Sequence, residues 1–175
     1  MVIYPSKLIM EVNIALLTVT DTRTLENDKS GAILVKKIAE QKHKLIDRKI
    51  VKDNKEEIKK IILNWSKKKD IDVIITTGGT GLTGRDITPE ALDEIADKHI
   101  PGFGEIFRTI SLKTVGTSSI QSRACAVLVN GKYIFALPGS SGGVTDAWDE
   151  ILVHQLDINH KPCNFVELFP RLKEK

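Results

Sequence analysis

A glycine-rich stretch is the part of the sequence whose residue types could do chemistry. Four glycines fall within residues 78–84, and the apolar, β-branched run 73–77 precedes them. A helix start follows at Thr88-Pro89-Glu90, where Thr88 is an N-cap candidate. Strand, glycine loop and helix in this order are typical of an anion-binding corner, where backbone N–H groups face a phosphate. Asp86 lies between loop and helix, where a carboxylate could hold a metal ion beside that phosphate.

Two named phosphate motifs do not account for this loop. The spacing Gly79-x-Gly81-x-x-Gly84 matches the dinucleotide fingerprint in form, but the predicted helix begins beyond the last glycine. The fingerprint also needs an acidic residue at a strand end about 20 residues further on, where this sequence has residues 101–104, Pro-Gly-Phe-Gly. The Gly-Lys-Ser/Thr tripeptide of the Walker loop does not occur. The stretch therefore indicates a phosphate site of another kind, or a tight turn that merely needs glycine.

Polar residues follow two other predicted strands. Asp21, Thr22 and Arg23 come after the apolar run 12–20. Because the carboxyl ends of parallel strands form the ligand edge of an open α/β sheet, these three are candidates for contacts with a nucleotide, and a plain surface loop is the alternative. Asp53 follows the alternating segment 43–51, where together with Asn54 it is also a fair N-cap for the next helix.

A hydroxyl-rich link and a second glycine turn add further candidates. Four hydroxyl residues precede Arg123, namely Thr117, Ser118, Ser119 and Ser122. Hydroxyls and an arginine near a glycine loop could contact phosphates, and a polar loop is the equal alternative. The turn Pro138-Gly139-Ser140-Ser141 follows the predicted strand 132–137 and opens a helix, so it is a second potential anion site.

Positioning these residues requires alternating strands and helices. Apolar or alternating runs predict strands over 12–20, 43–51, 73–77, 124–129 and 132–137. The strand 43–51 is the least apolar, so we expect it at or near a sheet edge. One of its faces would carry Leu45, Asp47, Lys49 and Val51. One helical pattern follows possible caps at 27–30 and runs to about 41, and a second follows Asp53-Asn54 and is closed by the lysines 67–69. Three more cover about 88–98, 103–113 and 144–155, and Trp65 and Trp148 fall on apolar helix faces. Asn130-Gly131 suits a hairpin turn, which adds one antiparallel strand. The pattern predicts an α/β fold, a three-layer sandwich with a mostly parallel sheet.

Length and composition fit a single domain of ordinary globular type. The chain has 175 residues, 41% hydrophobic and 28% charged, with a net charge of +3. We expect one domain over 1–175, with a core at about 10–155 and a tail at 156–175 whose Phe165, Leu168 and Phe169 dock on the body or on a neighbouring subunit. The balanced charge does not indicate nucleic-acid binding. The sequence contains no apolar stretch long enough to span a membrane, so no membrane association is expected. Without a signal-peptide pattern, the cytoplasm is the expected compartment.

The segment 74–90, IITTGGTGLTGRDITPE, resembles the signature of the MoaB/MogA family of molybdenum cofactor biosynthesis proteins. The resemblance continues through PGFGE at 101–105, SRA at 122–124 and ALPGS at 136–140, and covers about residues 10–155. Its Gly79-Thr80-Gly81 differs from the Gly-Val-Ser of related MoeA-type domains. Three segments look more like the MoaB subgroup: residues 21–24, the run 27–30 and the helix around Ala147-Trp148.

The resemblance implies a molybdopterin-binding fold and a nucleotidyl transfer. MogA-type proteins adenylylate molybdopterin with ATP and Mg²⁺ and release pyrophosphate. By matching positions, Asp53, Asp86 and Ser122 would be catalytic, and the two aspartates would hold Mg²⁺. Ser122 with Arg123 would match the family's Ser-Arg step. The molybdopterin phosphate would be bound by Thr77, Gly78, Gly79, Thr80 and Gly81. The turn 138–141 would be the second binding turn. A homotrimer or homohexamer, and contact with the molybdate-inserting enzyme, are further expectations.

Two alternatives to the enzyme stay open at this stage. The chain could bind and hand on molybdopterin without chemistry, or it could handle nucleotides, because CinA-type proteins carry a similar domain. The enzyme is favoured because both aspartates, Asp53 and Asp86, are present.

Overall fold

A mixed six-stranded sheet is the centre of the computed structural model, which describes residues 10–174. The strands are β1 (Asn13–Val19), β2 (Lys44–Val51), β3 (Val73–Thr77), β4 (Lys98–His99), β5 (Cys125–Val129) and β6 (Lys132–Leu137), in the order β2-β1-β3-β6-β5-β4. Strands β2, β1, β3 and β6 pair in parallel, and β5 runs antiparallel to both β6 and β4. The predicted mostly parallel sheet with one antiparallel strand is confirmed, as is the edge position of β2.

Helices cover both faces of the sheet, which gives the predicted three layers. They are α1 (Lys29–Glu40), α2 (Lys55–Ser66), α3 (Thr88–Asp93), α4 (Pro101–Val115), α5 (Ser141–Ala147) and α6 (Val153–Gln155), with a π-helical segment at Trp148–Leu152 and 3₁₀ segments at Gly116–Gln121 and Val166–Arg171. Helices α1, α4 and α5 share one apolar core, and α2 and α3 share the other. The predicted core positions of Trp65 and Trp148 are confirmed, because 1% and 2% of their surfaces are exposed. Within residues 10–174 no helix has the length and apolar character to span a membrane.

The helix predicted over 88–98 is too long. Helix α3 ends at Asp93, and Lys98–His99 instead forms the short strand β4 against β5. The N–H groups of Asp97 and Ile100 donate to the carbonyls of Leu128 and Ala126, both at 2.8 Å. The open edge of β5 thus satisfies backbone groups that a continued helix would have satisfied locally. A residue before proline also favours extended backbone, which separates α3 from α4 at Pro101.

The predicted alternation along β2 is wrong in its first half. The register of β2 against β1 shifts between Ile14 and Ala15, so that Leu45 and Asp47 fall on opposite faces. Asp47 accepts a hydrogen bond of 2.9 Å from the Trp65 indole on the α2 side, whereas Leu45 packs against the other core. A bulge moves every later side chain to the opposite face, and sequence periodicity alone cannot place one.

Several helix ends also differ from the prediction. Thr88 does not cap α3, because its hydroxyl donates to the Gly78 carbonyl at 2.9 Å. Helix α4 is longer than predicted at both ends, and α5 begins at Ser141 and continues through the π-helical segment.

The tail beyond residue 155 packs on the sheet through aromatic rings, as expected. The rings of Phe165 and Phe169 lie 4.7 Å and 5.8 Å from that of Tyr133, between ring centroids. Leu168 is 42% exposed and is not among the residues packed on either core. The predicted domain range 1–175 includes residues 1–9 and 175, which lie outside the described residues.

Candidate functional site

A cleft of about 580 Å³ opens at the carboxyl ends of the four parallel strands. The chain passes from β1 to β2 on one side and then to β3 on the other, so the strand order reverses beside β1. Ligands of open α/β sheets bind at such a reversal. Most of the predicted site residues line this cleft: Asp21, Thr22, Arg23, Asp53, Thr77, Gly78, Gly79, Thr80, Gly81, Asp86, Ser122, Pro138, Gly139 and Ser140.

The glycine loop lies directly on the backbone of its neighbours. Gly78 and Gly79 have φ angles of +101° and +66°, which favour glycine. A β-carbon at Gly78 would lie 2.2 Å from the carbonyl oxygen of Val19, at the end of β1. The second turn is equally close, because a β-carbon at Gly139 would lie 3.3 Å from the Gly78 Cα. The two glycine turns predicted separately therefore form one surface.

The carboxylates of Asp53 and Asp86 border this loop. A β-carbon at Gly79 would lie 3.2 Å from Asp53 Oδ1, and one at Gly81 would lie 2.7 Å from Asp86 Oδ2. Asp53 is free to face the cleft because Asn54 caps α2, accepting a hydrogen bond of 3.1 Å from the Glu57 N–H. The capping alternative for Asp53 is therefore wrong, and its neighbour has that role.

Negative charge accumulates around Asp53. Burial raises the pKa of the Asp53 carboxyl above its ordinary value, and the nearby charges of Asp21 and Asp86 raise it further, against a smaller opposing effect of Arg85. Such a site is suited to a divalent cation, which would relieve the repulsion. Within residues 10–174, no cluster of three or more His, Cys, Asp or Glu side chains could hold a metal ion. A Mg²⁺ ion held by the aspartates would therefore have to take its other ligands from phosphate and water.

Asp86 also holds the loop in place. Its Oδ2 accepts hydrogen bonds from the N–H and the hydroxyl of Thr83, at 2.8 Å and 2.6 Å. Burial alone would raise the pKa of Asp86, but these hydrogen bonds, one from the Gly81 N–H and the charge of Arg123 together lower it. Asp86 is thus a stable carboxylate at the base of the cleft.

Arg123 lies behind the glycine loop and does not line the cleft, in contrast to its predicted phosphate contact. Its Nε donates to the Gly81 carbonyl at 2.7 Å, its Nη2 donates to the Asp86 carbonyl at 2.9 Å, and its Nη1 pairs with Glu90. With these donors occupied, Arg123 fixes the shape of the loop from behind. Ser122, one residue earlier, does line the cleft.

The serines of the second turn have different positions. Ser140 lines the cleft and caps α5, accepting a hydrogen bond of 3.1 Å from the Gly143 N–H. Ser141 is exposed and does not line the cleft, because the helix has already turned it outward. Of the hydroxyl-rich link, Ser119 is buried in the 3₁₀ segment, and Thr117 and Ser118 are exposed away from the cleft.

Five cleft residues were not among the predicted set: Val19, Thr20, Thr83, Arg85 and Gln121. Arg85 had a sequence signal, because it lies next to Asp86 in the glycine stretch. Its Nη1 lies 3.6 Å from Asp21 Oδ2, so this ion pair joins the loop after β3 to the loop after β1. Thr83 could be found only from the fold, since its role is to bind the Asp86 carboxylate.

Comparison with known proteins gives the same family as the signature. The family model that matches residues 15–158 is described as a probable molybdopterin binding domain. The molybdenum cofactor biosynthesis protein B of Escherichia coli (strain K12) is 44% identical over 161 residues, 92% of this chain and 93% of that one. The protein of the same name from Bacillus cereus is 45% identical over 147 residues, 83% of this chain and 87% of that one.

Solved structures share the fold. A molybdenum cofactor biosynthesis protein B superposes with a TM-score of 0.86 at 39% identity, covering 97% of this chain and 100% of that one. The tungsten cofactor synthesizing protein MoaB of Pyrococcus furiosus gives 0.72 at 34% identity, covering 81% and 91%. A CinA structure from Thermoplasma acidophilum, at 16% identity and a TM-score of 0.58, covers 81% and 96% and resembles this chain in fold alone.

The sheet, its strand order and the paired glycine turns define a domain of the molybdopterin-binding class. The chain belongs to the MoaB/MogA family of molybdenum cofactor biosynthesis proteins, within the MoaB subgroup.

Proposed function

We propose that this protein binds molybdopterin and adenylylates it with Mg²⁺ and ATP. The terminal phosphate oxygen of molybdopterin attacks the α-phosphorus of ATP, the bond from that phosphorus to the bridging oxygen breaks, and pyrophosphate leaves. The observation that carries the proposal is that the carboxylates of Asp53 and Asp86 border the glycine loop in one cleft. Such a transfer depends on positioning and on a metal ion rather than on a protein nucleophile.

The glycine turns are assigned to the attacking phosphate. The loop 77–81 would bind the molybdopterin phosphate through the N–H groups of Gly79 and Thr80, because the Gly78 N–H donates to the Leu137 carbonyl at 3.0 Å and the Gly81 N–H donates to Asp86. The turn 138–140 would extend the same surface. The Ser122 hydroxyl lines the cleft next to this surface and would orient the phosphate. Arg123 acts indirectly by keeping the loop in shape.

The side of the cleft formed by the loops after β1 and β2 is assigned to the nucleotide. Asp53 and Asp86 would hold Mg²⁺, which when bound neutralises the charge of the triphosphate. Residues 21–23 would face the nucleotide, and Arg23 is well fixed for this, because it donates to the Ser30 hydroxyl at 3.0 Å and to the Gly139 carbonyl at 3.1 Å.

Pyrophosphate release from ATP, Mg²⁺ and molybdopterin tests this proposal. The native protein should release pyrophosphate, and Asp53→Asn and Asp86→Asn should each reduce the rate by about 100-fold or more, because each removes a charge that would hold the metal. Asp70→Asn is a matched control, since Asp70 is exposed and does not line the cleft. An Asp53→Asn variant that releases pyrophosphate at the native rate would rule out the assigned role.

A non-catalytic carrier of molybdopterin is the second candidate, and one observation favours it. Asp86 accepts its hydrogen bonds from the loop itself, which is what a purely structural carboxylate would do. Tight molybdopterin binding by the native protein without pyrophosphate release, under conditions where ATP and Mg²⁺ are saturating, would select the carrier.

We further propose a homotrimer or homohexamer acting in the cytoplasm, with the molybdate-inserting enzyme as the next partner. Support for self-association comes from apolar side chains in and after α4: Ile106, Leu112, Val115 and Ile120 are 53%, 51%, 53% and 78% exposed. Exposed apolar side chains close together are typical of interfaces.

A further inference from the structure

Three arginines lie in or behind the cleft, and two of them are already engaged. Arg123 binds two loop carbonyls and pairs with Glu90. Arg23 donates to Ser30 and to the Gly139 carbonyl, and its Nη1 lies 4.0 Å from the buried Asp28 carboxylate. Both side chains are therefore fixed parts of the cleft.

Arg85 differs from the other two in exposure and in its contacts. Its side chain is 77% exposed, and its ion pair with Asp21 has an N–O separation of 3.6 Å, longer than a hydrogen bond. An exposed pair of this kind contributes little to stability, so a ligand can replace it at little cost. The guanidinium carries five donors in a planar fork that matches a phosphate group.

The backbone that carries Arg85 is nevertheless anchored. The next residue, Asp86, holds Thr83 through its carboxylate, and the Asp86 N–H donates to the Thr83 carbonyl at 3.0 Å. The Asp86 carbonyl is in turn held by Arg123. A long cationic side chain thus extends from a fixed point into a cleft whose lining also includes Asp21, Asp53 and Asp86.

The position of Arg85 also indicates which phosphates it can reach. It lies on the side of Asp21 and Asp53, because it pairs with the Asp21 carboxylate and its positive charge acts on the Asp53 carboxyl. In the proposed arrangement that side receives the nucleotide, whereas the glycine turns receive molybdopterin.

We propose that Arg85 leaves Asp21 when the nucleotide binds and contacts the β- and γ-phosphates, the part that departs as pyrophosphate. The assignment of these phosphates rests on the proposed function. Contact with the departing group would neutralise charge that develops there during transfer. Asp21 competes with the nucleotide for Arg85 in the free protein.

Calorimetric titration with inorganic pyrophosphate and, separately, with AMP tests this inference in the presence of Mg²⁺ and without molybdopterin. Arg85→Ala should weaken pyrophosphate binding by about 10-fold or more, the effect of losing a charge-assisted hydrogen bond, and should change AMP binding by less than about twofold. Arg171→Ala is the matched control, because Arg171 is also exposed and paired with an acid, Glu174, but lies outside the cleft. Pyrophosphate binding that is absent in the native protein, or unchanged in Arg85→Ala, would overturn the inference.

The release of Asp21 has its own test. Asp21→Asn removes the competing carboxylate, so this variant should bind pyrophosphate more tightly than the native protein. The same substitution added to Arg85→Ala should not change the affinity for pyrophosphate, because the arginine is already absent. Weaker binding in Asp21→Asn would contradict the competition. The titration contains no molybdopterin, so it is independent of the pyrophosphate-release assay and the two proposals can fail separately. Pyrophosphate binding that depends on Arg85, together with no turnover in the release assay, would refute only the transferase. Turnover in the release assay, together with pyrophosphate binding unchanged in Arg85→Ala, would refute only the inference.

Discussion

Asp28 is a buried carboxylate that connects the wall of the cleft to the edge of the sheet. It is 2% exposed and accepts hydrogen bonds from the Thr18 hydroxyl at 2.6 Å, the Gly31 N–H at 2.9 Å and Arg48 at 3.0 Å. Burial alone would raise the pKa of Asp28, but these hydrogen bonds outweigh burial and lower it. The carboxylate therefore stabilises the fold in its ionised form.

Replacing this carboxylate should be costly. We expect Asp28→Asn to lower the free energy of unfolding by about 3 kcal/mol near neutral pH, because Arg48 would lose its charged partner. Since the pKa of Asp28 is lower in the folded chain than in the unfolded chain, its contribution is complete above the ordinary aspartate value and is lost as the pH falls through the folded value. Urea unfolding over a pH series should show the gap between native protein and variant narrowing only in acid. A gap that is absent at neutral pH would contradict this role.

Sequence reasoning found which residues form the cleft better than it found what each does. Asp86 was predicted from its type and position, and the roles of Asp53 and Ser122 were predicted from the resemblance to the family; all three line the cleft. Arg123 was predicted to face a ligand, but it turns behind the loop to bind carbonyls. The direction of a long side chain depends on which carbonyls the fold leaves unpaired, and that information is not local in the sequence.

At the scale of elements, the glycine loop is fixed by its contact with β1. Gly78 has a φ of +101°. A β-carbon there would lie 2.2 Å from the carbonyl oxygen of Val19, the last residue of β1. Gly78→Ala should therefore reduce the free energy of unfolding by about 2 kcal/mol or more and distort the phosphate surface. Urea unfolding measures the first effect.

Gly102→Ala is the control for this substitution. Gly102 lies in the first turn of α4, and a β-carbon there meets nothing within 4 Å. Alanine at this site should be neutral or stabilise by up to about 1 kcal/mol, because it favours the helix. Equal destabilisation by both substitutions would show that the close approach at Gly78 is not the cause.

The order of elements was predictable from local patterns, and the exceptions share one cause. Buried apolar runs identified β1 and β3, and Asn130-Gly131 identified the hairpin, where both residues have positive φ. Strand β4 and the bulge in β2 were missed. Both arise from pairing with a distant strand, which overrides what a two-residue segment or an alternating run prefers locally.

At the scale of the whole molecule, the exposed apolar side chains of α4 predict self-association. Leu112, Val115 and Ile120 are each more than half exposed. We expect the native protein to be a trimer or hexamer by light scattering after size-exclusion chromatography, and a Leu112→Glu/Val115→Glu variant to be a folded, smaller species, because buried unpaired charges would oppose contact. A monomeric native protein, or a variant of unchanged mass, would contradict this surface as the interface.

Transfer of label from ATP to molybdopterin tests the proposed adenylylation directly. ATP radiolabelled at the α-phosphate should pass its label to molybdopterin, whereas ATP labelled at the γ-phosphate should yield labelled pyrophosphate, and both should require Mg²⁺. Label from the α-phosphate that never appears on molybdopterin, although molybdopterin is bound, would contradict adenylylation and leave the protein as a carrier.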